Sequence, residues 1–78
     1  GLGVQYLLSG KLELARQAFM EAVRLEPKFA ETHYNLGLVL RQQKRSDEAA
    51  RAFRAALAAD PQFRPAREAL SSPEFRTR

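Results

Sequence analysis

The chain has no cysteine, no tryptophan, one histidine and one methionine in 78 residues. Without cysteine there is no disulfide framework, no thiolate metal site and no sulfur nucleophile. No apolar run approaches the roughly 20 residues that a membrane-spanning helix needs. A Gly-rich phosphate loop, a nucleophile elbow and metal-ligand spacing are all missing. The acids Glu13, Glu21, Glu26, Asp47 and Glu48 are spaced like solvated helix faces, with no pair set toward a cleft. His33 shares a face with Leu36 and Leu40, and so reads as a packed side chain rather than a catalytic or metal-bound one. Neither an enzyme nor a cofactor nor a metal is expected.

There is also no initiator Met and no basic-then-apolar leader. A chain that opens on GLGVQYLL is expected to be part of a longer protein, with any targeting signal elsewhere. Thirteen Ala and ten Arg against three Lys suggest a GC-rich, bacterial genome, and the compartment leans to the cytoplasm. Hydrophobic residues make up 45% of the chain, enough for one small folded domain.

The net charge of +4 is lopsided. Residues 1–39 hold four basic and four acidic groups, whereas residues 40–78 hold nine and five. Arg41, Lys44, Arg45, Arg51, Arg54, Arg64 and Arg67 would suit phosphates. Aromatic residues free to stack on bases are few, however, because Phe19 and Phe53 fall in apolar stripes. Nucleic acid is therefore the weaker expectation, and a solvated helix surface explains the charge as well.

What the sequence does have is internal repetition. Residues 2–29 laid over 36–63, an offset of 34, give eight identities. They are Leu2/Leu36, Gly3/Gly37, Ala15/Ala49, Ala18/Ala52, Phe19/Phe53, Ala22/Ala56, Pro27/Pro61 and Phe29/Phe63. Small and apolar residues dominate the set, as a recurring packing interface requires.

Each unit reads as two helices. His33, Leu36, Gly37 and Leu40 follow one helical face, and Glu31, Tyr34, Asn35, Leu38, Arg41 and Gln42 follow another. Ser46 is placed as an N-cap, with Asp47 and Glu48 suiting the positive helix end. Ala49, Ala52, Phe53, Ala56 and Leu57 make an apolar stripe that ends before Pro61. Gly37 costs its helix about 1 kcal/mol relative to alanine. That cost is expected to be offset by close approach to Ala49, with Phe53 filling the space beside them.

The pattern resembles the tetratricopeptide repeat, a 34-residue helix–turn–helix unit. It is carried by Leu36, Gly37, Leu40, Ala49, Phe53, Ala56 and Pro61, and again by Leu2, Gly3, Tyr6, Gly10, Ala15, Phe19, Ala22 and Pro27. The resemblance implies an all-α helical array of about five helices over residues 1–72. Residues 1–29 would be a partial first repeat, 30–63 a complete one and 64–72 a truncated third or capping helix. Residues 73–78 would be a frayed or linking tail, from which Phe75 could reach Leu70. Two positions depart from the pattern: His33 replaces an expected aromatic, and Lys44 replaces the inter-helix glycine kept at Gly10. A left-handed Lys44 would cost about 1–2 kcal/mol.

Members of this family are typically scaffolds for protein–protein recognition, and the first helices of their repeats line a concave face. By position, that face would comprise Val4, Leu7, Leu8, Glu31, Tyr34, Asn35, Leu38, Arg41, Gln42, Glu68 and Ser72. The implied partner is another protein, as an extended peptide or a helix. Asn35 is the foremost contact candidate, since its amide both donates and accepts. A similar Asn recurs in family members that include glycosyltransferases acting on Ser and Thr. A subclass that clamps C-terminal carboxylates with Lys, Asn and Arg matches only at Asn35, because Val4, Pro65 and Ala69 stand at its other positions. The apolar start of the chain implies either N-terminal continuation or self-association through that end. A purely architectural role remains the alternative to peptide binding.

Overall fold

The computed structural model describes residues 2–75. Among them are α1 (Leu2–Leu8), α2 (Leu12–Leu25), α3 (Ala30–Gln42), α4 (Ser46–Ala59), α5 (Arg64–Leu70) and a 3-10 turn over Pro73–Phe75. No strand occurs among the described residues. Each helix packs on the next, so α1–α2 and α3–α4 form antiparallel hairpins and α3 is wedged between α2 and α4.

The turns within the hairpins are alike. Gly10 N–H donates to Leu7 O at 3.1 Å, and Lys11 N–H donates to Tyr6 O at 2.9 Å. In the second hairpin Lys44 N–H donates to Arg41 O at 3.0 Å, and Arg45 N–H donates to Leu40 O at 2.9 Å. These paired bonds satisfy carbonyls at the helix end and require a left-handed residue between them. Gly10 supplies φ +77°, and Lys44 adopts φ +67° despite its Cβ. The substituted turn therefore keeps the glycine geometry and bears the strain. Lys44→Gly removes about 1–2 kcal/mol of that strain and returns about 0.4–1 kcal/mol as unfolded-chain entropy. The variant should gain up to about 1.5 kcal/mol, a rise of a few degrees in thermal midpoint. A lower midpoint than wild type would contradict the strain.

The turns between hairpins also repeat. Phe29 N–H donates to Glu26 O, and Phe63 N–H donates to Asp60 O. Each closes a four-residue turn with proline second, where its fixed φ fits. His33 Nε2 then donates to Pro27 O at 2.7 Å, and Arg67 Nη2 donates to Pro61 O at 2.9 Å. Both pairs are 34 residues apart in sequence, so one latch is built twice from different donors.

The core consists of two clusters joined through α3. Ala15, Phe19 and Val39 form one; Ala30, Leu40, Ala49, Ala52, Phe53, Ala56, Ala66 and Ala69 form the other, with Leu36 packed against both. The glycine puzzle resolves on the aromatic rings. A Cβ on Gly37 would lie 2.5 Å from Phe53 Cε1, and one on Gly3 would lie 2.6 Å from Phe19 Cε1. The phenylalanine thus lies directly on the glycine instead of beside a glycine–alanine contact.

Two local expectations change. Ser46 is the first helical residue rather than the cap; Arg45 holds the cap position and makes no side-chain capping bond. The reason is that Arg45 N–H already closes the preceding turn, which leaves no spacer before α4. Over Pro73–Phe75 the tail is ordered as a helical turn, and the Phe75 ring meets Phe53 edge-on at 5.6 Å. The remaining tail residues, 76–78, lie outside the described residues.

Candidate protein-binding face

The face that the family resemblance implied is built on α1, α3 and α5, and its members divide once their surroundings are known. Tyr34 stands between two rings, 5.7 Å from Phe53 and 5.6 Å from Phe63 between centroids. Such tilted and edge-on pairs add about 0.5–1.5 kcal/mol beyond area burial. Leu38 packs against the same cluster, and Leu7 packs against the cluster around Phe19. These three side chains hold the fold together over much of their surface. The Arg41 guanidinium carbon lies 5.8 Å from the Phe53 centroid, a cation–π contact that fixes its aliphatic stem across the core edge.

The others stand free. Glu31, Gln42 and Glu68 are exposed, and Leu8 is 82% exposed at the end of α1. Val4, Glu31 and Asn35 meet at one groove of about 610 Å³. Its floor is Gly3, Ala18, Phe19 and Ala22, and Leu2 and Leu25 form part of its rim. Asn35 is half-buried, and its side-chain amide makes no hydrogen bond among the described residues. Its donors and acceptor are therefore unspent. No group of three His, Cys, Asp or Glu side chains is placed to hold a metal among those residues.

Sequence spacing missed Leu2, Glu21 and Leu25 as walls of this groove. Leu2 carried a signal, because it repeats at Leu36. Leu25 carried none, since a lone leucine before Glu26-Pro27 has no periodic partner to mark it.

A tetratricopeptide repeat family model matches residues 2–62. The chain belongs to the tetratricopeptide repeat family. Among curated relatives, the probable UDP-N-acetylglucosamine–peptide N-acetylglucosaminyltransferase SPINDLY of Petunia hybrida is 34% identical over 71 residues, covering 91% of this chain and 8% of the relative. The same-named protein of Arabidopsis thaliana is 35% identical over 71 residues, again 91% of this chain and 8% of the relative. Cellulose synthase 1 operon protein C of Komagataeibacter xylinus is 40% identical over 68 residues, 82% of this chain and 5% of the relative. This chain thus spans only a small part of the length of each. The likeness is to a stretch of helical repeats, and repeats of this family are typically protein-interaction modules.

A hydrogen bond to an ion-paired carboxylate links the two tetratricopeptide hairpins. Arg16 Nε donates to Glu13 Oε1 at 3.0 Å, and Gln43 Nε2, at the end of α3, donates to the same oxygen at 3.3 Å. Arg16 first, then Gln43, holds the Glu13 carboxyl at about 2, well below the ordinary 4.5. A carboxyl lowered in the folded state stabilises the fold above its unfolded value, and that contribution fades as pH falls from 4.5 toward 2. The thermal midpoint should therefore drop over this acid range, and Glu13→Gln should flatten part of the drop. Because Glu13 is solvent-exposed, the difference should be small. An unchanged acid slope in the variant would show that the link contributes nothing.

Proposed function

We propose that this chain is a protein-recognition module that holds a segment of another protein along the face formed by α1, α3 and α5. The supporting observation is Asn35, a half-buried amide with no internal partner, set in a groove wall beside the exposed carboxylate of Glu31. An amide so placed bonds the backbone of an extended chain without reading its side chains. Arg41, Gln42 and Glu68 extend the same face with charged and polar groups, which favour a polar segment with interspersed apolar residues. Tyr34 and Leu38 serve the reading by stiffening the helix that carries Asn35.

The test is selection of a displayed peptide library on the wild-type chain, then titration of the recovered peptides against Asn35→Ala. Tyr34→Ala is unsuitable, because it would remove a ring packed between Phe53 and Phe63. Loss of one or two backbone hydrogen bonds, each about 0.5–1.5 kcal/mol, should weaken binding by roughly three- to a hundredfold. Circular dichroism must stay unchanged. Peptides that bind Asn35→Ala and wild type equally well would remove this face from consideration.

A further inference from the structure

α3 packs on both α2 and α4, and its outward side carries Glu31, Asn35, Leu38 and Arg41. At about 1.5 Å of rise per residue, Glu31 and Arg41 stand roughly 15 Å apart along the helix, with Asn35 between them. Neither charge is spent inside the molecule. Glu31 is exposed and Arg41 half-buried, and neither has an ion pair among the described residues. Arg41 is nevertheless held in place, since its guanidinium carbon lies 5.8 Å from the Phe53 centroid. The residues 34 positions on from Glu31, Asn35 and Arg41 are Pro65, Ala69 and Phe75. This order of acid, amide and base is therefore not repeated on α5.

We infer that α3 selects an extended segment of a partner protein in which an acidic and a basic residue are neighbours in sequence. The Asn35 amide both donates and accepts. An extended chain offers it the N–H and C=O of one residue on the same side, whereas the backbone groups of a helix are spent on its own bonds. Side chains of an extended chain stand across its hydrogen-bonding direction and alternate from side to side. A segment that lies over α1, α3 and α5 crosses α3. Once its backbone bonds Asn35, one side chain points to the Glu31 end of the helix and the next to the Arg41 end. Adjacent residues of opposite charge then meet complementary groups, while charges two residues apart would both point to one end. The inference rests on the recognition role proposed above and adds the charge pattern that the face selects.

The probes are fluorescein-labelled, terminally blocked peptides rich in Thr and Val, which favour extended backbone. One carries a central Glu-Lys pair, a second Glu-Thr-Lys and a third Glu-Glu. Each is titrated by fluorescence anisotropy against the full chain at low salt. The Glu-Lys probe should bind saturably and best, and Glu-Thr-Lys should be weaker by up to about fivefold, the worth of one exposed ion pair. The difference should fade at high salt. Glu31→Arg puts a base at both ends of the stripe and should switch the preference to Glu-Glu. Glu31 is exposed, so the variant should fold as wild type does, with an unchanged circular dichroism spectrum. Arg41→Lys keeps the charge and should keep the preference for Glu-Lys.

Absence of saturable binding by the Glu-Lys probe, equal binding of Glu-Lys and Glu-Thr-Lys, or an unswitched Glu31→Arg overturns the inference. So do library-selected peptides that turn helical on binding, or a chain dimer that Glu31→Arg dissolves, which would assign the stripe to a helix or to a second copy. The two readings fail differently. Library-selected peptides that lose affinity in Asn35→Ala, with the charge pattern without effect, leave the recognition role standing and remove this inference alone. Peptides indifferent to Asn35→Ala remove both.

Discussion

Phe53→Ala should come close to unfolding the chain. The side chain has 0% exposure and touches Gly37, Tyr34 and the Arg41 guanidinium on α3 and Phe75 in the C-terminal turn, so two elements lose a common partner. Truncating a fully buried phenylalanine costs about 3–5 kcal/mol. A chain of this size has on the order of 4–12 kcal/mol in total. The expected fall in thermal midpoint is on the order of 20 °C. Phe19→Ala should cost clearly less. Its ring forms part of the open groove and lacks the aromatic cover that Tyr34 gives Phe53. Guanidinium denaturation of both variants checks the asymmetry, and equal losses would mean that the two hairpins are equally closed.

Gly37→Ala should destabilise the protein even though alanine is the better helix former. Helix propensity favours the variant by about 1 kcal/mol. Against this, the new Cβ would sit 2.5, 2.7 and 2.9 Å from three ring atoms of Phe53. That ring is held by Tyr34 on one side and Phe75 on another, so it cannot swing away without breaking both contacts. Overpacking a filled core costs about 1–3 kcal/mol. The net should be a loss of up to about 2 kcal/mol, and the sign decides the matter. A stabilised Gly37→Ala would show that the ring gives way freely. Gly3→Ala meets the same clash with Phe19, but that ring borders open space, so the penalty should be near zero. Gly37→Ala combined with Phe53→Leu should cost less than the sum of the two changes, because the residues share one contact.

The two hairpins also differ in how they are covered. The second hairpin is closed by its own residues, with Ala30 and Tyr34 filling the space over Phe53 and Phe75 sealing the other side. The equivalent walls of the first hairpin, Gly3, Ala18, Phe19 and Ala22, line a groove among the described residues.

Much of this was legible in the sequence. The 34-residue offset, the two-helix unit and the burial of Phe19 and Phe53 all follow from periodicity and recur in the structure. At Lys44 the sequence left open a changed turn or a strained left-handed one, and the structure takes the latter at φ +67°. The binding face was harder. Spacing put Tyr34, Asn35 and Leu38 on one helical stripe, but could not tell that Phe63, just ahead of α5, would cover Tyr34 and leave Asn35 open. Val39 escaped both stripes and is fully buried, because α3 is packed on two sides and has a third inward face against Ala15 and Phe19.

Local covalent constraints determined the helices, the turns and the size of the residues at each recurring contact, since those depend on neighbours three, four or thirty-four positions away. Only the packed molecule decided which side chains are spent on the core and which are left exposed. Exposure depends on what lies across a gap, and residues that face each other across helices carry no fixed spacing in the chain.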